Sequence, residues 1–236
     1  MKTGGLKVRL FAGATAAAAL CSPVMAQETG TLIQRRAAQI DEGNPNAGRL
    51  TMEAFGACVV SRSKGRVSKF IDMRVDEPGY RDYMKNLFDR AEDQCLSQGE
   101  LRFYDINFRG ALFQALYAQE FKTSAPDLTT VQSSGYRQIY PETLSPEARN
   151  AVALEQFGEC VSRADPQNVR ALLRSLAGSS QESALFGSLT PRFGTCIPQG
   201  EKLAFSKVVL KGALAEGMYR LSRAAEAGGG TAIGSR

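Results

Sequence analysis

The strongest constraint on the fold is an internal repeat, because short motifs of the first half of the chain recur in the second half. Residues 55–59 (FGACV) recur as 157–161 (FGECV), 95–100 (CLSQGE) as 196–201 (CIPQGE), and 110–117 (GALFQALY) as 212–219 (GALAEGMY). The offset between matched residues stays between 101 and 102. Recurrence at a fixed offset is typical of tandem modules, so we predict a duplication of one module.

The N-terminus has the features of a secretory signal peptide. Three basic residues and no acidic one precede an apolar stretch at 10–20, which is 11 residues long and shorter than a membrane span. Pro23 ends this stretch, and Ala26 offers a small residue for cleavage. We predict cleavage near Ala26 and a periplasmic or secreted location. An uncleaved anchor and lipidation of Cys21 are the alternatives.

The charge of the remaining chain argues against a nucleic-acid partner. The whole chain has 29 basic and 24 acidic residues, and three of the basic ones lie in the first 26 residues. The remainder therefore has 26 basic and 24 acidic residues and a net charge of +2. Such a chain lacks the basic excess of a nucleic-acid-binding protein. It also has no second apolar stretch of spanning length, so we expect no membrane-spanning helix.

Four cysteines would remain after cleavage, and each copy of the repeat contains two of them. An even number of cysteines in an exported chain suggests disulfides. Spacing alone leaves three connectivities open. One bridge per copy, Cys58–Cys95 and Cys160–Cys196, is the simplest, and a pairing swapped between the copies is the alternative. Each bridge would stabilise its module by about 3–4 kcal/mol in the chain-entropy model.

Helix signals dominate both copies, and we predict an all-α fold, a tandem duplication of a disulfide-stapled four-helix module. Ser145-Pro146 and Asp165-Pro166 each place an N-cap residue before a proline at the first helical position. Two further helices are predicted in the second copy. One should start near Ser180 and be interrupted near Pro191, and the other should start after Ser206. In the first copy the apolar periodicity predicts helices at about 49–62, 66–74, 79–94 and 104–121.

These signals also predict how the chain is divided. The predicted parts are a signal peptide (1–26), a flexible N-terminal segment (27–48), module 1 (49–122), a linker (123–145), module 2 (146–225) and a disordered tail (226–236). Four matched glycines, Gly56, Gly158, Gly110 and Gly212, fall inside predicted helices, where each costs about 1 kcal/mol relative to alanine. Close helix–helix approach would explain them, and a ligand-facing notch is the alternative.

The residue inventory restricts the chemistry. The absence of histidine excludes histidine-based catalytic triads and metal sites with histidine ligands, and bridged cysteines cannot act as nucleophiles. Ser61 and Lys64 fit the Ser-x-x-Lys motif of penicillin-recognising enzymes but lack its companion motifs in the mature chain. Carboxylates could still meet in a cleft, and the candidates are Glu53, Glu100, Glu159 and Glu201. We predict no catalytic, cofactor-binding or metal-binding residue.

Six residues are candidates for contact with an anion or a partner. Basic residues occupy matched positions in the two copies, Arg62 with Arg163 and Arg109 with Lys211. They could bind an anionic ligand, or they could cover the edge of the core with their apolar stems. Tyr136 and Tyr140 lie in the linker, where they could pack into the seam between the modules or contact a partner.

The motifs around the paired cysteines resemble those of uncharacterised exported proteins of Gram-negative bacteria. Those proteins contain Phe/Ala-x-x-Cys-Val, a later cysteine followed by glycine, and a Gly-Ala-Leu-Ala-Glu-x-x-Tyr helix. Residues 212–219 (GALAEGMY) are the stretch most similar to them. The resemblance extends over about residues 50–225 and implies a periplasmic location but no particular activity.

We therefore expect a non-enzymatic binding or structural component of the cell envelope with an envelope protein as partner, in an oligomeric state that the sequence leaves open. A carboxylate-dependent hydrolase of envelope glycan or peptide and a small-ligand carrier are the alternatives. A flat apolar patch across the seam would favour partner binding. Two convergent carboxylates, one with a raised pKa, would favour the hydrolase, and a large apolar pocket would favour the carrier.

Overall fold

The fold was obtained as a computed structural model, which describes residues 44–96, 101, 104–141, 143–197, 206–228 and 230–231. The elements in chain order are α1 (Ala47–Asp72), α2 (Tyr80–Cys95), α3 (Asp105–Glu120), a 3-10 turn (Leu128–Thr130), β1 (Val131–Gln132), α4 (Tyr136–Ile139), α5 (Pro146–Ala164), α6 (Pro166–Arg174), α7 (Ser180–Cys196), α8 (Lys207–Glu226) and β2 (Gly230–Thr231). The protein is all-α, as predicted. The predicted signal peptide, residues 27–43, and Glu100 and Glu201 lie outside the described residues.

Side-chain caps mark three of the four described helix starts of module 2, whereas Ser206 at the start of α8 makes no such cap. The Ser145 hydroxyl accepts a hydrogen bond from the amide of Ala148, and the Asp165 carboxylate accepts one from the amide of Asn168, both at 3.2 Å. Ser179 caps α7. The predicted interruption near Pro191 is wrong, because α7 continues to Cys196. Proline removes one intrahelical hydrogen bond, and here it does so on an exposed part of the helix where water can solvate the freed carbonyl.

Module 1 has the predicted break between its first two helices. The two helices meet within α1 at a kink at Ser63, where φ is −135° and ψ is 33°. In module 2 the corresponding stretch is divided between α5 and α6 by Asp165 and Pro166. Module 1 has no proline at this point, so the helix resumes after the kink.

Both predicted disulfides are present. Cys58 and Cys95 join α1 to the end of α2 with an S–S distance of 2.04 Å, and Cys160 and Cys196 join α5 to the end of α7 at 2.08 Å. Two disulfides fit an exported protein. Within the described ranges, no helix is both long enough and apolar enough to cross a membrane.

The core is formed around the crossing of α3 and α8. α1 packs on α3, and α5 packs on α8, so that one hydrophobic cluster contains residues of both modules, among them Phe55, Phe113, Phe157 and Leu214. The described helices of both modules belong to a single compact unit. The core therefore depends on contacts between the modules as well as on contacts inside each one.

The four matched glycines lie at close approaches between helices, as predicted. A Cβ atom on Gly110 would lie 2.6 Å from the Cα of Gly212, and one on Gly212 would lie 2.9 Å from the Cα of Gly110. Gly56 faces the backbone of α3, and Gly158 faces the backbone of α8. These close contacts explain why glycine is present inside these helices, although it is less favourable there than alanine.

The linker and the tail are more ordered than predicted. The linker contains the 3-10 turn, β1 and α4, and β1 pairs in parallel with β2, which belongs to the tail. Val131 in β1 is buried. Backbone groups beside a buried side chain need hydrogen-bond partners, and the tail supplies them as a short strand. The prediction of a disordered tail is therefore wrong for residues 226–228 and 230–231.

Candidate functional site

A groove with a volume of about 940 Å³ lies where module 1 meets module 2. One side is formed by the turn before α2 and by the first turns of α2 and α3, and the other side by the end of the linker and the first turns of α5. Its apolar lining includes Val75, Ile106, Leu144 and Leu154. Tyr104 also lines the groove and is 81% exposed, which is unusual for an aromatic side chain.

The groove is also lined by acidic side chains, Asp76, Glu77, Asp82, Asp105 and Glu147. Three of them lie in the first turns of α2, α3 and α5, where a carboxylate offsets the partial positive charge of the helix N-terminus. Hydrogen bonds from its own backbone amide and from the Ser145 hydroxyl lower the pKa of Glu147.

Beneath the groove lies a buried cluster of charges around Arg109, which is 1% exposed. Its Nε donates to Oε2 of Glu216 at 2.9 Å, and its Nη2 donates to Oε1 of Glu155 at 3.3 Å. Its Nη1 donates to the hydroxyl of Tyr80 at 3.2 Å. Arg220 adds a second cation, with its Nε 3.0 Å from Oε1 of Glu216. We call these residues the Arg109 cluster.

The two carboxylates of the Arg109 cluster have opposite pKa shifts. Burial and the negative charge of Glu216 raise the pKa of Glu155 to about 7, although Arg109 opposes this shift. Burial opposes ionisation of Glu216 too, but Arg109 and Arg220 outweigh it and lower the pKa of Glu216. The hydroxyl of Tyr140 donates to Oε2 of Glu155 at 2.7 Å.

Carboxylates with separated pKa values are typical of acid–base pairs in enzymes. In this cluster, however, both oxygens of Glu155 and both oxygens of Glu216 already accept hydrogen bonds from the chain. Neither residue lines the groove, whereas Arg109 and Tyr80 do. The carboxylates of the cluster therefore do not reach a molecule in the groove.

A second buried cluster surrounds Lys211, the repeat-matched counterpart of Arg109. The Nζ atom of Lys211 donates to Oε1 of Glu53 at 2.8 Å and to the carbonyl oxygen of Ser175 at 2.8 Å, and it lies 3.4 Å from Oε1 of Glu182. Arg49 binds Glu182 with both terminal nitrogens, at 2.6 and 2.9 Å. We call these residues the Lys211 cluster.

The two clusters connect the modules reciprocally. Arg109 of module 1 binds Glu155 of module 2, and Lys211 of module 2 binds Glu53 of module 1. Glu53 and Glu155 each lie three residues before a matched glycine of the repeat. Glu155, Glu182 and Glu216 were not among the predicted candidates, although Glu155 matches the candidate Glu53 at the offset of the repeat.

The predicted contact residues occupy different places. Arg109 and Lys211 are buried in ion pairs. Arg163 binds Glu159, and its Nη1 and Nη2 donate to carbonyl oxygens of β1 at 2.7 and 2.6 Å. Tyr136 donates to Glu159 at 3.0 Å, and Tyr140 is buried in the seam.

The remaining predicted side chains lie on the surface. Arg62 is exposed on α1, outside the groove. Lys64 of the Ser-x-x-Lys motif binds Glu120 at 2.9 Å, so that its amine is engaged by a carboxylate. Among the described residues, no three acidic or cysteine side chains come together in a way that could hold a metal ion.

Fold and site together define a class of protein, an all-α, disulfide-bonded protein with a groove between two helical modules. Comparison with protein-family models, curated proteins and solved structures finds no match to the chain. The groove and the two clusters are therefore the features that bear on function.

Proposed function

We propose that the protein is an exported, non-enzymatic binding protein of the cell envelope that holds a partner protein in the groove. The observation that carries the proposal is the groove itself, which both modules form and which has a highly exposed aromatic residue, Tyr104, in its lining. Exposed apolar surface bordered by polar groups is typical of interaction sites.

Two features support an exported location for this function. The described cysteines form two disulfides, and such bonds persist in oxidising compartments. The basic and apolar N-terminus has the pattern of a signal peptide, and we propose cleavage near Ala26 and a periplasmic location.

Carboxylate-dependent hydrolysis of envelope glycan or peptide is the second candidate, and the raised pKa of Glu155 beside Glu216 favours it. We place it second because the carboxylates are covered by Arg109 and Tyr140. The carrier alternative has less support, because the groove is open and lined by charged groups as well as apolar ones. Binding sites for small ligands enclose most of the ligand surface.

The proposed function can be tested by site-specific photo-cross-linking in living cells. A photoreactive amino acid replaces Tyr104 in the groove or, as a control, Leu176, another exposed hydrophobic residue, 69% exposed, outside the groove. We expect one partner, identified by mass spectrometry, to cross-link from position 104 and not from position 176.

Groove filling provides the matched control for this experiment. Ala151→Trp places a large side chain in the groove, whereas Ala118→Trp places the same side chain on the exposed face of α3. The cross-link from position 104 should disappear in Ala151→Trp and persist in Ala118→Trp. Equal cross-linking from both positions, or a cross-link insensitive to Ala151→Trp, would contradict the proposal.

A further inference from the structure

We infer that the groove binds an extended, basic peptide segment of its partner, an inference that rests on the proposed function and names the chemistry of the occupant. Three properties of the groove support it: its charge, its backbone hydrogen-bond donors and its apolar lining. Each of them fits one part of such a segment.

The charge of the groove favours a cationic occupant. Five carboxylates line it, and Arg81 and Arg109 are the basic side chains of its described lining. Glu216 and Glu155 neutralise Arg109 from below. Part of the remaining negative charge is offset by Arg74, which pairs with Asp76, and by the helix N-termini. The side chains that line the groove nevertheless keep a net negative charge. A partner with Lys or Arg side chains would complement this surface.

Backbone donors in the groove fit the carbonyl groups of an extended chain. α2 begins after Gly79 and α3 begins after Tyr104, and both helices start without a side-chain cap. The starts of α1 and α8 also lack a side-chain cap, whereas α5, α6 and α7 have one. The amides of Tyr80 and Asn107 already donate to the carbonyl oxygens of Glu77 and Tyr104, at 3.1 and 2.8 Å. The other first-turn amides of α2 and α3 have no intrahelical acceptor and can donate to a ligand. A peptide supplies carbonyl acceptors beside its basic side chains.

The apolar lining fits alternate side chains of the same segment. Ile106, Leu144 and Leu154 form an apolar surface between the acidic positions, and the ring of Tyr104 is exposed beside it. An aromatic ring can pack against an apolar side chain or against the face of a guanidinium or ammonium group. An open groove also lets a longer chain enter and leave, which a closed cavity does not.

Selection from a random peptide library provides the test. The library is selected on the purified mature protein with its disulfides intact, and in parallel on the Ala151→Trp variant. We expect the selected peptides to be enriched in Lys and Arg relative to the unselected library and to bind Ala151→Trp at least about tenfold more weakly. Their affinity should fall as the salt concentration rises, since exposed charges are screened.

Charge variants test whether the carboxylates of the groove are responsible for the binding of basic peptides. Asp82→Asn combined with Asp105→Asn removes two groove carboxylates and should weaken a selected basic peptide by about three- to tenfold. Asp93→Asn combined with Glu226→Gln removes the same charge from exposed positions outside the groove and should leave the affinity unchanged. Peptides without basic enrichment, no selected peptide at all, or an equal loss in the control pair would each overturn the inference.

The two proposals fail in distinguishable ways. A partner that cross-links specifically from position 104 while the selected peptides show no basic preference would overturn the inference and leave the proposed function standing. Absence of a specific cross-link together with absence of groove-dependent peptides would overturn both.

Discussion

The Arg109 and Lys211 clusters occupy matched positions in the two modules but differ in chemistry and in access. The Arg109 cluster has two buried carboxylates, those of Glu155 and Glu216, and lies under a groove of about 940 Å³. The Lys211 cluster borders a cavity of about 10 Å³, room for no more than a water molecule, and its Glu53 side chain is 22% exposed. The same helix crossing therefore has a closed side and an open side.

This difference separates the features that the two halves of the described chain share from those that they do not share. The crossing glycines and the reciprocal ion pairs occur in both modules, so they serve the association of the helices. The groove arises where the modules diverge, at the turn before α2 and at the end of the linker. Residues outside the repeat-matched motifs are thus the ones to examine for binding.

The largest expected effect comes from removing the two central cations in turn. Arg109→Met leaves Glu155 and Glu216 buried with Arg220 as the remaining cation of the cluster, and it should lower the free energy of unfolding by about 3–5 kcal/mol. Lys211→Met should cost less, about 1–3 kcal/mol, because Glu182 keeps Arg49 and Glu53 reaches water. Denaturant unfolding with intact disulfides measures both. A larger loss for Lys211→Met would contradict the asymmetry.

Alanine substitutions at two matched glycines should also affect stability unequally in the two modules, but with a smaller difference. A Cβ on Gly158 would overlap the carbonyl of Ala213, and Gly217 of α8 lies against Gly158. At Gly56 the nearest atom would be the Ala111 oxygen at 2.8 Å. Gly158→Ala should therefore destabilise by about 2–3 kcal/mol and Gly56→Ala by about 1–2 kcal/mol.

The control for the glycine pair is Gly65→Ala in α1, where a Cβ would have open space. It should be neutral or stabilise the protein by up to about 1 kcal/mol, as expected for alanine in a helix. Thermal unfolding of the three variants tests the order. A destabilising Gly65→Ala would show that the glycine costs do not come from helix contact.

The smallest expected effect is a difference in pH dependence between the clusters. The folded pKa of Glu155, about 7, lies above its unfolded value, so its stabilising contribution is present in acid and is lost as the pH rises through 7. Burial opposes ionisation of Glu182, but hydrogen bonds from Arg49 and Gly178 and the charge of Lys211 outweigh it and lower the pKa of Glu182. Its contribution is present above the unfolded pKa and is lost as the pH falls through the folded one.

The variants Glu155→Gln and Glu182→Gln should therefore show opposite trends. With rising pH, the stability deficit of Glu155→Gln relative to the unmodified protein should shrink between about pH 4.5 and 7. The deficit of Glu182→Gln should grow with rising pH in the acidic range. Denaturant midpoints measured across this pH range give both trends, and deficits that change in the same direction would argue against the assigned shifts.

Much of the fold could be predicted because its signals are local. Ser145, Asp165 and the following prolines mark helix starts through contacts within one turn, and the structure has those starts. The break between the first two helices was also predicted, and the structure has it as a kink at Ser63. The ordered tail depends on pairing with β1, about 100 residues earlier in the chain.

The candidate site was less predictable than the fold. Arg109 and Tyr140 were recognised as candidates for contact with an anion or a partner, with a place at the core edge or in the seam as the alternative. The structure buries both side chains beside Glu155. Long basic side chains are usually exposed, and their burial follows only when carboxylates from other helices surround them. The groove itself has no sequence motif, since its lining comes from several separate segments.

The sequence by itself determined the helical class, the main helix starts and the choice of cysteine partners, because periodicity, caps and the spacing of the repeat are properties of neighbouring or matched residues. Only the tertiary structure decided which carboxylate neutralises which cation and where the open groove lies. The bonds from Arg109 to Glu216 and from Lys211 to Glu53 join residues 107 and 158 positions apart. Such contacts exist only once α3 and α8 cross at Gly110 and Gly212, since that crossing brings the two modules within ion-pair distance.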